Sequence, residues 1–238
     1  MNVTLSPDDR VFFTFGFVEI NATLVFTWLV MVILIILSLL ATKNIRKGPD
    51  ISRWQAGFEL IVEGIRGQIR EMMGGDPDKY LAFLGSLFLF IITSNILTIL
   101  PVYEAPTGSL STTAALAAIV FVSVPVFGIA ENGVRGYLSH YIKPTPVMLP
   151  FNIISELSRT LALAVRLFGN IMSGTLIVGV LLSIAPFFVP VIMQFLGLIV
   201  GLIQAYIFSA LTAIYIASAI RAQREQTKKQ EEKENNHG

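Results

Sequence analysis

Residues 150–184 read PFNIISELSRTLALAVRLFGNIMSGTLIVGVLLSI, a run of 35 that holds only three charges, Glu156, Arg159 and Arg166. As an α-helix at ~1.5 Å per residue it is about 52 Å long, against ~30 Å of hydrocarbon in a bilayer. Such a helix crosses a membrane and must tilt strongly, protrude or break. Tilt beyond ~40° is unusual for an isolated helix, so a large partner packed alongside would have to impose it. Arg166 has mostly apolar residues for at least a dozen positions on either side. An arginine at the bilayer centre costs at least ~2.5–3.5 kcal/mol, and from that depth it cannot easily snorkel to the headgroups. At the helical repeat, Asn152, Arg159, Arg166, Asn170 and Ser173 fall within about 60° of one another. A polar stripe on an otherwise apolar helix faces protein or water, not lipid. The arginine either pairs with an internal carboxylate to hold helices together or faces a second subunit. Glu131 and Glu156 are the only internal candidates, and both map toward one end of the spans, which favours the second subunit.

The rest of the chain fits this frame. Hydrophobic residues make up 54% of the sequence and charged ones 14%, whereas a soluble domain carries about 25% charged residues. The reading is an all-α integral membrane protein forming one membrane domain. It has five transmembrane helices and one interfacial amphipathic helix, the last two spans long and strongly tilted. Spans are expected at 18–42, 80–100, 112–132, 150–184 and 187–222, with a kink at Pro125 in the third and a polar turn at 104–109. Segment 51–73 differs: Trp54, Phe58, Ile61, Ile65, Ile69 and Met72 form one stripe, and Arg53, Glu59, Glu63, Arg66 and Arg70 fall away from it. A helix with one charged and one apolar face lies in the membrane interface. The alternative, a soluble helix on a small domain, lacks any other soluble core. Residues 223–238 form a charged cytoplasmic tail with no apolar face, expected as a fraying helix end or disordered chain.

Positive charge orients the spans. Lys43, Arg46 and Lys47, then the arginines of 51–73, then Arg135 and Lys143, then Arg221, Arg224, Lys228 and Lys229 all mark one side. The positive-inside rule makes that side cytoplasmic and places the N-terminus outside after five crossings. The segment before the first span, Ser6-Pro7-Asp8-Asp9-Arg10, is not a basic leader, and the apolar run after it is too long for a signal peptide. There is no cysteine, which excludes thiol chemistry. His140 and His237 are too far apart for a metal site, and no cofactor is expected. A net charge of +1 gives no sign of nucleic-acid binding. No Ser/His/Asp set, HExxH or phosphate-binding glycine loop appears, so neither a membrane enzyme nor direct nucleotide binding is expected.

Segment 187–222 offers the matching surface. Gly197, Gly201, Gln204 and Phe208 lie on one face, and the Gly197-x-x-x-Gly201 spacing permits close helix approach. Counted inward from the outer ends of two antiparallel helices, Arg166 and Gln204 reach similar depth. The glutamine amide is thus placed to orient the guanidinium without neutralising it.

The run Ala164-Val-Arg-Leu-Phe-Gly-Asn170 resembles the arginine signature of the F-type ATP synthase a-subunit family. Gln204-Ala-Tyr-Ile-Phe208 and Ser94-Asn-Ile-Leu-Thr-Ile-Leu-Pro101 are similar to its pattern too, and the likeness extends from about Phe13 to Ser218. The stretch Asn21 to Met31 is similar to a divergent prokaryotic branch called N-type, many of whose members move sodium. The resemblance implies a stator ion-channel subunit of a rotary ATP synthase in a prokaryotic plasma (inner) membrane. Its partners would be a c-subunit ring, peripheral-stalk b-subunits and membrane lipid. Arg166 would face the ring carboxylates and separate two half-channels for protons or sodium, with Gln204 and Asn170 beside it and Arg159 one turn-pair nearer the inside. By depth, the outer half-channel would draw on Asn95, Thr175 and Gln194, the inner one on Glu131, Glu156 and Tyr215. The chain departs from many members in carrying Thr175 nine positions after the arginine, where an acid is common. It also has Gly197 where some have a histidine, so hydroxyls, amides and water are expected to line the outer route. The other reading of the same arginine is a stand-alone secondary transporter or channel with Arg166 in its substrate site, against which stands the absence of an inverted repeat or matched broken helices.

Overall fold

Apolar runs of 20 or so residues in lipid must satisfy their backbone internally, and a helix does so within one segment. The computed structural model describes residues 11–15, 18–43, 53–74, 76–100, 103–142, 148–184 and 189–235. It contains six α-helices: α1 Ala22–Lys43, α2 Arg53–Met73, α3 Asp78–Ile96, α4 Leu110–Ile142, α5 Met148–Ile184 and α6 Val189–Asn235. Five of them are long and apolar enough to cross a membrane, all but α2. The expected basic marks Arg46, Lys47 and Lys143 lie outside the described residues, as do Pro101 and His237.

The helices differ from the sequence reading in several features, each for a local reason. The first span does not start at 18: Val18–Asn21 (β2) pairs antiparallel with Val11–Phe15 (β1), and the helix begins only at Ala22. β-branched and aromatic residues in that stretch favour the hairpin. α3 tightens into a 3-10 turn at Leu97–Ile99. In α4 the non-helical residue is Gly133, at φ 73° and ψ 162°, while Pro125 lies inside the helix. Only glycine adopts those angles readily, so the break falls where the side chain vanishes. α6 runs unbroken to Asn235, so of the two readings of the tail, a helix end or a disordered chain, the helix end is the one observed. Its Gln, Glu, Lys and Arg residues are good helix formers that need no apolar face in water.

Lipid is as apolar as leucine, so packing and polar bonds rather than hydrophobicity hold such helices together. One core joins α3, α4, α5 and α6 through Leu87, Ile91, Leu116, Val120, Leu163, Leu167, Ala205 and Phe208. A second, toward the C-terminal end of α6, joins α2, α3, α4 and α6 through Ile69, Met73, Tyr80, Leu84, Val124, Ile216 and Ile220. α1 docks through Val30 on Tyr103 and Ala105, with Phe26 edge-on to the Tyr103 ring at 4.9 Å, and buries Ala22 and Thr23 at its start.

The apolar residues of α2 are packed most fully toward its C-terminal end. Ile69 and Met73 are buried, whereas Leu60, Ile61 and Val62 are exposed. Polar clasps fix that packed end. Arg66 bonds Asp78 at 2.8 Å, the Arg221 guanidinium donates to the Met72 carbonyl at 3.0 Å, and Tyr206 donates to Gln68 at 2.9 Å. The hydrogen bond to Asp78, with that carboxylate's charge, raises the Arg66 guanidinium above its ordinary pKa.

Candidate functional site

The stripe on α5 lies at the border between that helix's packed and open faces. Leu163 and Leu167 are buried against α6. Arg166, a quarter-turn away, is exposed, as are Val165, Asn170 and Ser173. Few residues of this span are buried inside the chain, so α5 presents its length sideways. Among the described residues the Arg166 guanidinium makes no ion pair and no hydrogen bond. Glu156 is half-buried on the same helix, ten residues and about 15 Å away at the helical rise.

Asn170 and Gln204 do meet. The Asn170 Nδ2 donates to Gln204 Oε1 at 2.8 Å, which sets the register of α5 on α6. Gln204 is 2% exposed, and its Nε2 has no hydrogen-bond partner. The expected glutamine–guanidinium contact is therefore replaced by a glutamine–asparagine one. A buried amide left with an idle donor costs about 1–3 kcal/mol.

The three outer candidates separate into a brace and two exposed groups. Asn95, 3% exposed, donates from Nδ2 to the Gly201 carbonyl at 2.8 Å, and its Oδ1 accepts from Thr107 at 3.4 Å. A Cβ on Gly201 would come within 3.0 Å of the Asn95 side chain, whereas at Gly197 it would meet nothing. The close approach foreseen from the paired glycines is thus real at Gly201 alone, against α3. Gln194 is exposed and donates to the Thr98 carbonyl at 2.7 Å. Thr175 is exposed and donates to the Ile171 carbonyl of its own helix at 3.0 Å. Both exposed groups have committed a donor and still offer oxygen lone pairs.

The inner candidates are not gathered in one place. Glu131 accepts from Lys79 Nζ at 2.7 Å and from the Tyr80 hydroxyl at 3.3 Å, at the rim of a cavity of about 330 Å³. Tyr215 lies under Arg159, whose guanidinium carbon is 5.8 Å from the ring centroid, within cation–π range. Arg159 is thereby held to α6 while Arg166, on the same stripe, is not.

Sequence reasoning missed a set of buried hydroxyls beside Asn95. Thr107, Ser109 and Thr113 are fully buried, Ser94 too, and the Ser94 hydroxyl shares a hydrogen bond with that of Tyr103 at 3.3 Å. The stretch read as a polar turn is a plug, with a 3-10 turn at Pro106–Gly108 wedged among α1, α3, α4 and α5. Its signal was the spacing Ser109-x-Ser111-x-Thr113, each able to bond locally.

The sequence that builds this site has relatives among known proteins. The pattern described as ATP synthase A chain matches residues 24–217. ATP synthase subunit a of Albidiferax ferrireducens is 57% identical over 220 residues, covering 92% of this chain and 95% of that protein. ATP synthase subunit a 1 of Crocosphaera subtropica is 54% identical over 223 residues, 94% and 97% of the two chains. ATP synthase subunit a 2 of Acaryochloris marina is 53% identical over 234 residues, 98% and 99%. Matched along almost its whole length at more than half identity, this multi-pass membrane protein belongs to the ATP synthase A chain family.

Proposed function

We propose that the chain is the stator of a rotary ATP synthase and carries two half-channels, with Arg166 between them facing a ring of c-subunits. One observation carries this reading: a guanidinium deep in a span, exposed on the open flank of α5 and without an ion pair or hydrogen bond among the described residues. A charge so placed is stable only if a partner supplies what the chain does not.

A guanidinium keeps its charge in a dry site. It attracts a ring carboxylate, favours its ionised form and so displaces the bound proton or sodium ion. It also repels cations, which blocks direct leakage between the two routes. Ions then travel with the ring from one route to the other, and that obligation makes torque. On the outer side Thr175 and Gln194 offer acceptor oxygens, the chemistry a cation needs, and Asn95 braces the helices that carry them. On the inner side Glu131, Glu156 and Tyr215 lie toward the cytoplasm, with Arg159 shaping the field. α5 and α6, at 37 and 47 residues, are longer than a bilayer is thick and lean along the curve of the ring. Peripheral-stalk b-subunits hold the chain against rotation in a prokaryotic plasma membrane, N-terminus outside and C-terminus in the cytoplasm.

Arg166→Ala is expected to abolish ATP-driven ion pumping by vesicles that contain the complex. Arg166→Lys is expected not to restore it, because a desolvated lysine can lose its proton and has no planar fork. Wild-type pumping by the alanine variant would overturn the proposal. Activity measured against sodium at fixed pH assigns the ion.

A further inference from the structure

Three candidate spans end at Asp78, Glu131 and Arg221, and those ends surround the 330 Å³ cavity, lined among others by Asp76, Lys79, Tyr80, Glu131 and Arg221. A second hollow, of about 500 Å³, lies on the α3–α4 face between Phe83, Ile119, Val122, Ser123, Val126 and Phe127. Its one polar side chain, Ser123, donates to the Val120 carbonyl at 2.7 Å, so the surface it offers is apolar. Aromatic contacts join the two hollows: the Phe127 ring is 5.2 Å from Tyr80 and 5.6 Å from Phe83.

Depth and charge together identify an occupant. From Glu131 to Ile119 along α4 is about 18 Å at ~1.5 Å per residue, close to one leaflet, half of ~30 Å of hydrocarbon. A partner's spanning helix would need a groove through both leaflets, whereas an acyl chain needs one. At the cavity, Lys79 and Glu131 are paired with each other. Arg221, exposed, has given Nη2 to the Met72 carbonyl, and Asp76, exposed, accepts the Asp78 N–H on Oδ1. Each keeps capacity, so the rim offers one cation and one anion to a ligand.

We propose that this face holds one ethanolamine phospholipid. Its acyl chain lies in the α3–α4 groove, its phosphate meets Arg221, and its ammonium meets Asp76. The proposal stands apart from the rotary reading, since it uses neither Arg166 nor the α5 flank.

The test is lipid analysis of the intact complex purified in mild detergent, with wild type compared with Val122→Trp, which fills the groove, and Asp76→Asn, which removes the anion. Ethanolamine phospholipid is expected to co-purify with wild type and to be lost from Val122→Trp. Asp76→Asn is expected to keep a lipid but exchange ethanolamine for anionic headgroups, a shift that misfolding would not produce. Equal ethanolamine lipid in wild type and Val122→Trp, or an unchanged headgroup profile in Asp76→Asn, would overturn the proposal. Loss of a stalk subunit instead of lipid from Val122→Trp would also overturn it, by placing a protein helix in the groove.

Discussion

At the scale of single residues, Asn95 and Gly201 are one device. The asparagine can reach the Gly201 carbonyl because no side chain stands at that point of α6. Gly201→Ala is therefore expected to push Asn95 aside and to destabilise by about 1–3 kcal/mol, the range for overpacking a well-filled site. Asn95→Ala should cost a similar amount by removing the bond. The double variant should cost clearly less than the sum, because the added methyl then enters the space the amide left. Thermal unfolding of the purified complex in detergent reads all three, and strict additivity would show that the two positions do not act on each other. The Gly197-x-x-x-Gly201 spacing pointed to close approach, but spacing is symmetric between its two glycines. Only the register of α3 on α6 decides that the second does the work.

At the scale of elements, the periodic features were legible and the exceptions were not. The α5 span, its polar stripe and the amphipathic α2 follow from residue order alone, because a helix fixes which side chains share a face. The break in α4 did not follow, since Pro125 was the obvious breaker and Gly133 one glycine among many. A proline in a membrane helix is tolerated where neighbours satisfy the freed carbonyl, whereas a glycine at φ 73° marks a place where the chain has turned. Gly133→Ala is thus expected to destabilise by about 1–3 kcal/mol, the cost of forcing a side chain into that region. Pro125→Ala, which restores a helical N–H, should leave the melting temperature near wild type or raise it. The opposite ranking of the two variants would place the break at the proline. The α6 extension to Asn235 stayed one of two readings for another reason: a solvated helix shows no apolar period, and neither does a disordered tail.

At the scale of the whole molecule, the weakest attachment is that of α1, whose buried residues are Ala22, Thr23 and Val30. Its seat is the loop before α4, where the resemblance to a solvent turn concealed a plug: Pro106, Thr107, Gly108 and Ser109 are turn residues by composition and buried by position. Composition reports what a backbone can do and not what covers it. Tyr103 ties this seat together, touching Phe26 of α1 and Ser94 of α3. Burial is the main cause that raises its phenol from the ordinary 10 to about 12, and the Ser94 hydrogen bond offsets only part of it. The folded chain therefore favours the neutral phenol. The stability this contributes is complete below pH 10, where the unfolded phenol is neutral as well, and is lost as pH rises from about 10 through about 12. Midpoints of thermal unfolding across that window should fall more steeply for wild type than for Tyr103→Phe, which has no proton to lose there. Parallel curves would mean that the ring is held by packing with Phe26 and Val30 and that its ionisation does not loosen the α1 seat.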